Sequence, residues 1–261
     1  MGTRMRKTIG ISGSTLKIIA VISMLINHTG AVLLGQFLAH NSQGLTFKVD
    51  FSIAYIQEML QAGVTGQVYV AYLIMRNVIG RLAFPIYCFL LVEGFEKTHN
   101  RVRYAERLFL FALLSELPFD LAFYGKISDH TGQNVFFTLF LGFLMMWGME
   151  KTEELAGGLW VKWAGMGACF LTAAFVAEKI CCDYGANGII AIALLFLFRK
   201  NRAGQIIAGC AAFLYEITAP LAFIFVAMYN GQRGMKLKYI FYAFYPIHLA
   251  LLYILGAAFF R

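Results

Sequence analysis

Thr15-Leu16-Lys17-Ile18-Ile19-Ala20-Val21-Ile22-Ser23-Met24-Leu25-Ile26-Asn27-His28-Thr29-Gly30 is apolar over a length that helps to span a bilayer, yet it carries Lys17 near its start and His28 well inside. Ionisable side chains at such depth cost roughly 2.5–3.5 kcal/mol each on insertion scales, so they mark a functional site by default. Lys17 and His28 are eleven positions apart. At about 3.6 residues per turn that is close to a whole number of turns, so both project from one helical face, about 16 Å apart along the axis.

Outward from this stretch, composition agrees with a membrane helix. Of 261 residues, 60% are hydrophobic and 14% charged, and the mean hydropathy is +0.68, well beyond soluble globular domains. The chain reads as an all-α, polytopic integral membrane helical bundle, a single multi-pass domain over residues 1–261 in the plasma membrane. Gly 25 and Phe 25 against Pro 4 suit packed membrane helices, whose backbones approach through small residues. The alternating ten-residue stretches of a membrane barrel are absent. The net charge of +8 is therefore read as a topology and lipid-headgroup signal, with no nucleic-acid partner. Met1 to Lys7 is basic and no small-residue cleavage pattern follows, so the first helix is expected to be retained, with a cytoplasmic N-terminus. Cys88, Cys169, Cys181, Cys182 and Cys210 read as small hydrophobes, and no metal-ligand spacing is present.

In chain order, helix one covers about 14–36, and a polar connection over 37–67 contains an interfacial helix near 51–60. Helix two, about 68–95, holds Arg81 and Pro85. Proline removes a backbone donor and clashes with the preceding turn, so a kink is expected where the arginine sits. Helix three, about 104–124, carries Arg107, Glu116 and Asp120; the last two are four apart and share a face. Helices near 134–149, 160–177 and 187–198 follow, and then the basic turn Arg199-Lys200-Asn201-Arg202. Residues 204–228 read either as one span or as two short helices broken near Glu216 and Pro220. The broken reading is favoured because it returns the basic loop 231–238 to the cytoplasmic side. A final helix, 239–260, carries His248. The total is eight to nine transmembrane helices.

Counting about 1.5 Å per residue from each cytoplasmic end brings His28, Arg81, Glu116 and Asp120 to one level just beyond mid-bilayer, which predicts a single polar cavity. A neutral imidazole there can take a proton from an attacking amine or hydroxyl and return it to a leaving group. Arg81, Glu116 and Asp120 either neutralise one another or line an acceptor pocket, where a carboxylate would orient His28. His248 belongs either to an aromatic interfacial belt or to the cavity. Lys17, Arg101, Arg103, Arg233 and Lys238 serve topology and lipid headgroups, or hold a phosphate-rich ligand arriving from the cytosol. No Walker loop, dinucleotide fingerprint or nucleophile elbow is present.

Several separated motifs carry a resemblance. They are Leu16-Lys17 through Asn27-His28-Thr29-Gly30, Gly80-Arg81-Leu82-Ala83-Phe84-Pro85, Val92-Glu93-Gly94-Phe95 with Arg107-Leu108, Pro118-Phe119, Tyr229-Asn230-Gly231-Gln232-Arg233-Gly234, and Phe241-Tyr242-Ala243-Phe244-Tyr245-Pro246-Ile247-His248. Over nearly its whole length the chain resembles the TraX family of membrane proteins. That family usually has aspartate before the histidine, where this chain has Asn27. The family is named for a protein that N-acetylates a conjugative pilin subunit, which implies an acetyl-CoA donor. The Lys17 to His28 spacing is also similar to the basic-residue-x10-His signature of the acyltransferase-three membrane enzymes.

What the resemblance implies is a membrane acyltransferase using acetyl-CoA or another acyl-CoA as co-substrate, with no metal. The donor's phosphates would lie near Lys17, Arg101, Arg103, Arg233 and Lys238. His28 would act as general base, with Asn27 or Arg81 steadying the oxyanion or the acceptor. Glu116, Asp120 and His248 would line the acceptor side. The acceptor, reached from the outer side, is open among a peptide N-terminus, a glycan, a lipid-linked sugar and a small metabolite. The alternative reading is a proton-coupled transporter using the same polar cluster, although the two halves show no internal repeat.

Overall fold

Residues 10–42, 44–155, 157–235 and 238–260 are described by a computed structural model, with the side chain of Lys238 and the basic Met1 to Lys7 stretch outside the described residues. Helix α1 begins where Ser12 caps it, its Oγ accepting from the Thr15 backbone N–H at 3.2 Å. It runs from Gly13–Asn41, with a π-turn over Gly30–Leu34. The short α2 (Ile53–Gln61), where a helix was expected near 51–60, is capped by Ser52 and packs through Tyr55 and Met59 on Leu38, Tyr69 and Leu73.

Helix α3 spans Gly63–Lys97 and is regular except at its centre. A π-segment over Met75–Ile79 passes into a 3-10 turn over Gly80–Leu82 before regular helix resumes at Ala83. Pro85 lacks the N–H that would reach Arg81, and its ring pushes on that turn, so the expected distortion falls where the arginine sits. The carbonyls this frees would find no water in hydrocarbon. They are met instead by side chains: Ser23 Oγ donates to the Ile79 carbonyl at 2.5 Å, and Thr218 Oγ1 lies 2.8 and 3.0 Å from the carbonyls of Asn77 and Val78. Close crossing of α1 and α3 is possible because Gly30 and Gly80 present no side chain to Met75 and Asn27.

The remaining helices are α4 (Arg101–Phe123), α5 (Val135–Leu155), α6 (Leu159–Lys179), α7 (Gly185–Leu197), α8 (Arg202–Ala212), α9 (Ala222–Ala227) and α10 (Lys238–Phe260). Among the described residues, five helical stretches are long and apolar enough to cross a membrane: α1, α3, α5, α6 and α10 from Tyr239. Helix α4 is long but carries too much charge to qualify by composition, and α7 is short, so these criteria reach five of the eight to nine spans expected. Phe89, Phe95, Phe143, Phe196, Phe213 and Phe223 are fully buried between them.

The chain from 202 to 228 is broken, as favoured. Helices α8 and α9 stop short, and a tip containing Glu216 and a 3-10 turn at Ala219–Leu221 joins them. The hairpin returns residues 228–233 to the start of α1, where the backbone N–H groups of Ile11, Gly13 and Ser14 donate to the carbonyls of Met228, Gln232 and Arg233 at 2.9, 2.8 and 3.0 Å. The described part of the basic loop therefore shares one end of the bundle with the start of α1. Lys97, Arg101, Arg199 and Arg202 gather at this basic end in pairs with Glu93, Glu150 and Glu153.

Candidate functional site

His28 faces the bundle interior from α1 and is met by His248 from α10. Their rings are parallel within 6°, with centroids 5.0 Å apart, and His28 Nδ1 lies 2.7 Å from His248 Nε2. The other nitrogen of His248 is 2.8 Å from the Phe244 carbonyl, one turn back on the same helix. Phe123 and Tyr245 stand edge-on to His28 at 5.4 and 5.8 Å. Both imidazoles are buried, so a pair of histidines with an aromatic surround forms the inner core of the site.

The neighbouring Asn27 accepts from Arg76 Nη1 at 3.0 Å, a partner that spacing alone does not reveal. The single cavity expected from equal depth is divided among separate partners. Arg81 pairs with Glu216 of the hairpin tip at 2.7 Å, not with Glu116 or Asp120. Glu116 accepts from Asn134 Nδ2, and Asp120 accepts from the Asp129 backbone N–H at 3.0 Å. Glu116 and Asp120 do share a face of α4, but they serve the turn leading into α5. His28 is oriented by an imidazole and not by a carboxylate. Arg81 thus acts as a clamp between α3 and the α8–α9 tip.

A cavity of about 450 Å³ lies between α1, α3, α4, α5 and α10. At the basic end its wall includes the exposed Lys97, His99 and Arg233, and next to them Lys17 and Arg107. Further in, the lining turns apolar, through Met24, Leu91, Leu108 and Phe136, and it ends on Tyr245, the ring that stands against His28. Gly13, Lys17 and Met24 line it from α1; His28, one turn beyond Met24, and His248 are not in the lining and lie behind Tyr245. Of the expected cations, Lys17 and Arg233 belong to this cavity. Arg101 is engaged elsewhere, with Glu150 at 2.9 Å and its guanidinium over the Phe95 ring. Arg103 is exposed and outside the lining, and Lys238's side chain lies outside the described residues. Arg107 was not among the expected site residues; its Nε is buried with no hydrogen-bond partner among the described residues. No group of three or more His, Cys, Asp or Glu suited to a metal occurs among the described residues.

Comparison with known proteins covers nearly the whole chain. The chain is 28% identical to the "Probable fimbrial assembly protein FimC, serogroup H1" of Dichelobacter nodosus, over 95% of this chain and 97% of that protein. No solved structure matches significantly. The family model described as TraX protein matches residues 12–256, a range that takes in α1 through most of α10 and both histidines, and the chain therefore belongs to the TraX family.

Proposed function

We propose that this protein is a membrane-embedded acyltransferase that moves an acyl group, acetyl in the simplest case, from cytosolic acyl-CoA to an amine or hydroxyl acceptor reached from the opposite side. The observation that carries the reading is the cavity that begins among Lys17, Lys97, Arg107 and Arg233 and ends on the tyrosine packed against His28. Cations at the mouth suit the phosphates of coenzyme A. The apolar stretch beyond them suits an extended pantetheine arm and a thioester. His28 takes the proton of the acceptor as its N or O attacks the thioester carbonyl. The tetrahedral intermediate collapses with loss of the CoA thiolate, which recovers that proton from the imidazolium. Asn27 and the Arg76 bonded to it stand next to the base and suit the developing oxyanion. A fimbrial assembly protein among the relatives makes a surface-fibre subunit one acceptor to test.

The broken α8–α9 hairpin is a device that carriers also use, and it favours a proton-coupled transporter as the second reading. Purified protein separates the two. Acetyl-CoA is expected to raise the melting temperature, and Lys17→Ala or Arg233→Ala to weaken binding about 10- to 100-fold, the loss of one charge-assisted hydrogen bond of roughly 1.5–3 kcal/mol. His28→Ala is expected to bind acetyl-CoA and to fail in transfer. Absence of binding to any acyl-CoA would sink the enzyme reading.

A further inference from the structure

We infer that His248 is a positioning residue that fixes the tautomer of His28 and leaves His28 Nε2 as the basic atom; the inference rests on the acyltransferase reading. The direction of the hydrogen-bond chain follows from its last member. The Phe244 carbonyl can only accept, so His248 Nδ1, 2.8 Å away, carries a proton. A neutral His248 then has its lone pair on Nε2. The 2.7 Å contact to His28 Nδ1 must be donated by His28, which puts the remaining lone pair on His28 Nε2. The reverse direction needs a doubly protonated His248. That ring is buried, with Phe244 stacked on it at 4.7 Å and Tyr245 edge-on at 5.6 Å. An imidazolium in such a setting has no carboxylate partner among the described residues and is costly.

The same bond serves after proton transfer. When His28 Nε2 takes the acceptor's proton, the Nδ1–H of the resulting imidazolium still points at the His248 lone pair. In catalytic triads a carboxylate holds the imidazole in its tautomer and stabilises that charge. Here a neutral acceptor does the holding, which avoids a buried anion in the middle of a membrane. It also fits the finding that, among the described residues, no carboxylate bonds to His28, although Glu116 and Asp120 were expected beside it. Each of those acids is already bonded elsewhere.

Two readouts test this on full-length protein in lipid nanodiscs. With ring nitrogens labelled, the ¹⁵N shifts of His28 report the tautomer without turnover; wild type is expected to show protonated Nδ1. His248→Gln, whose Oε1 can accept the same bond, is expected to keep that tautomer, and His248→Leu is expected to lose it. In a CoA-thiol release assay with acetyl-CoA and hydroxylamine as acceptor, His248→Leu is expected to lower kcat about 100-fold at unchanged KM for acetyl-CoA. His248→Gln is expected to recover at least tenfold of that loss. An Nε2-protonated His28 in wild type, or a Gln variant as impaired as the Leu variant, overturns the inference. Protonated Nδ1 in a protein that releases no CoA would refute the acyltransferase reading while leaving the hydrogen-bond chain intact, so the two failures are distinguishable.

Discussion

Gly80→Ala is the sharpest steric test of the α1–α3 crossing. Gly80 has φ −61° and ψ −30°, so an alanine backbone fits and any penalty comes from contact alone. The new methyl would lie 2.6 Å from Asn27 Cβ, 2.7 Å from Asn27 Cγ and 2.7 Å from the Met75 carbonyl oxygen. Carbon atoms in good contact sit about 3.5–4.0 Å apart, so the helices must part by roughly 1 Å. Neither Asn27 Cβ nor the Met75 carbonyl can swing aside, because both are fixed by helical backbone. The shift stretches the 3.0 Å bond between Arg76 and Asn27 beyond hydrogen-bonding range. Overpacking costs about 1–3 kcal/mol and the lost bond about 1 kcal/mol more, which sums to roughly 2–4 kcal/mol. Thermal unfolding in detergent should show a drop of several degrees. Because His28 follows Asn27 directly, CoA release should fall on the order of 100-fold, as expected for a misplacement of about 1 Å, while acetyl-CoA affinity at Lys17 and Arg233 is retained. Gly167→Ala is the control: among the described residues an added methyl would meet nothing within 4 Å beyond its own helix backbone, and a helical Gly to Ala change is neutral or stabilising by up to about 1 kcal/mol. A Gly80→Ala protein as stable and active as wild type would refute the crossing.

Two further outcomes follow from charge pairs. Glu216→Ala leaves Arg81 without its 2.7 Å partner at partial burial; a loss of about 2–3 kcal/mol is expected, at or below the lower end of the roughly 3–5 kcal/mol for a broken buried pair because Arg81 is partly exposed. The Arg81→Met/Glu216→Leu double variant should recover most of it, and additive losses in the thermal cycle would show the two residues to be uncoupled. On the loop before α2, Asp50 accepts from the Ser52 backbone N–H at 2.8 Å and pairs with Lys48 at 2.9 Å, which holds its carboxyl at about 2. Since the folded value is depressed, its stabilisation is present above the ordinary carboxylate value near 4 and lost as pH falls toward 2. The melting-temperature gap between wild type and Asp50→Asn should close over that window, and a gap that persists at pH 2 would count against the pairing.

Much of the scaffold was legible because its signals are local. Pro85 predicts the distortion of α3, the spacing over Phe51 to Leu60 predicts a short helix there, and the eleven-residue spacing puts Lys17 and His28 on one face of α1, of which Lys17 lines the cavity. Partners were not legible where level was known but azimuth was not. Counting residues assigns Arg81, Glu116 and Asp120 one level, yet Arg81 turns toward a hairpin tip 135 residues away in sequence, and the acids turn toward the α4–α5 connection. The π-segment of α3 is set by the crossing with α1 and by hydroxyls from Ser23 and Thr218, none of which is adjacent in sequence. Arg76 and Arg107 had a readable signal in retrospect. Neither has a carboxylate at i±4: Tyr72 and Gly80 flank one, Arg103 and Phe111 the other. A membrane-helix cation without a helical partner must find one across the bundle or in a ligand.

Asn27 is where this chain departs from the aspartate usual at that position in its family, and the Arg76 contact says what the departure does. A carboxylate at 27 would stand about 3 Å from the guanidinium and form a partly buried ion pair. Asparagine makes the same hydrogen bond and leaves the arginine's charge uncompensated by its direct partner. A buried ion pair gains in attraction roughly what it loses in desolvation, so Asn27→Asp is expected to change stability by less than about 1 kcal/mol. Asn27→Leu keeps the volume but strands a guanidinium in a partly buried site, and should cost about 1–3 kcal/mol. The functional consequence separates charge from shape. If Arg76 steadies a developing oxyanion beside His28, neutralising it in Asn27→Asp should lower kcat in the CoA-release assay at unchanged acetyl-CoA affinity, with the fold intact by thermal unfolding. Equal kcat in the Asp variant would mean that position 27 contributes only the hydrogen bond that seats Arg76, and that the oxyanion is stabilised by other donors.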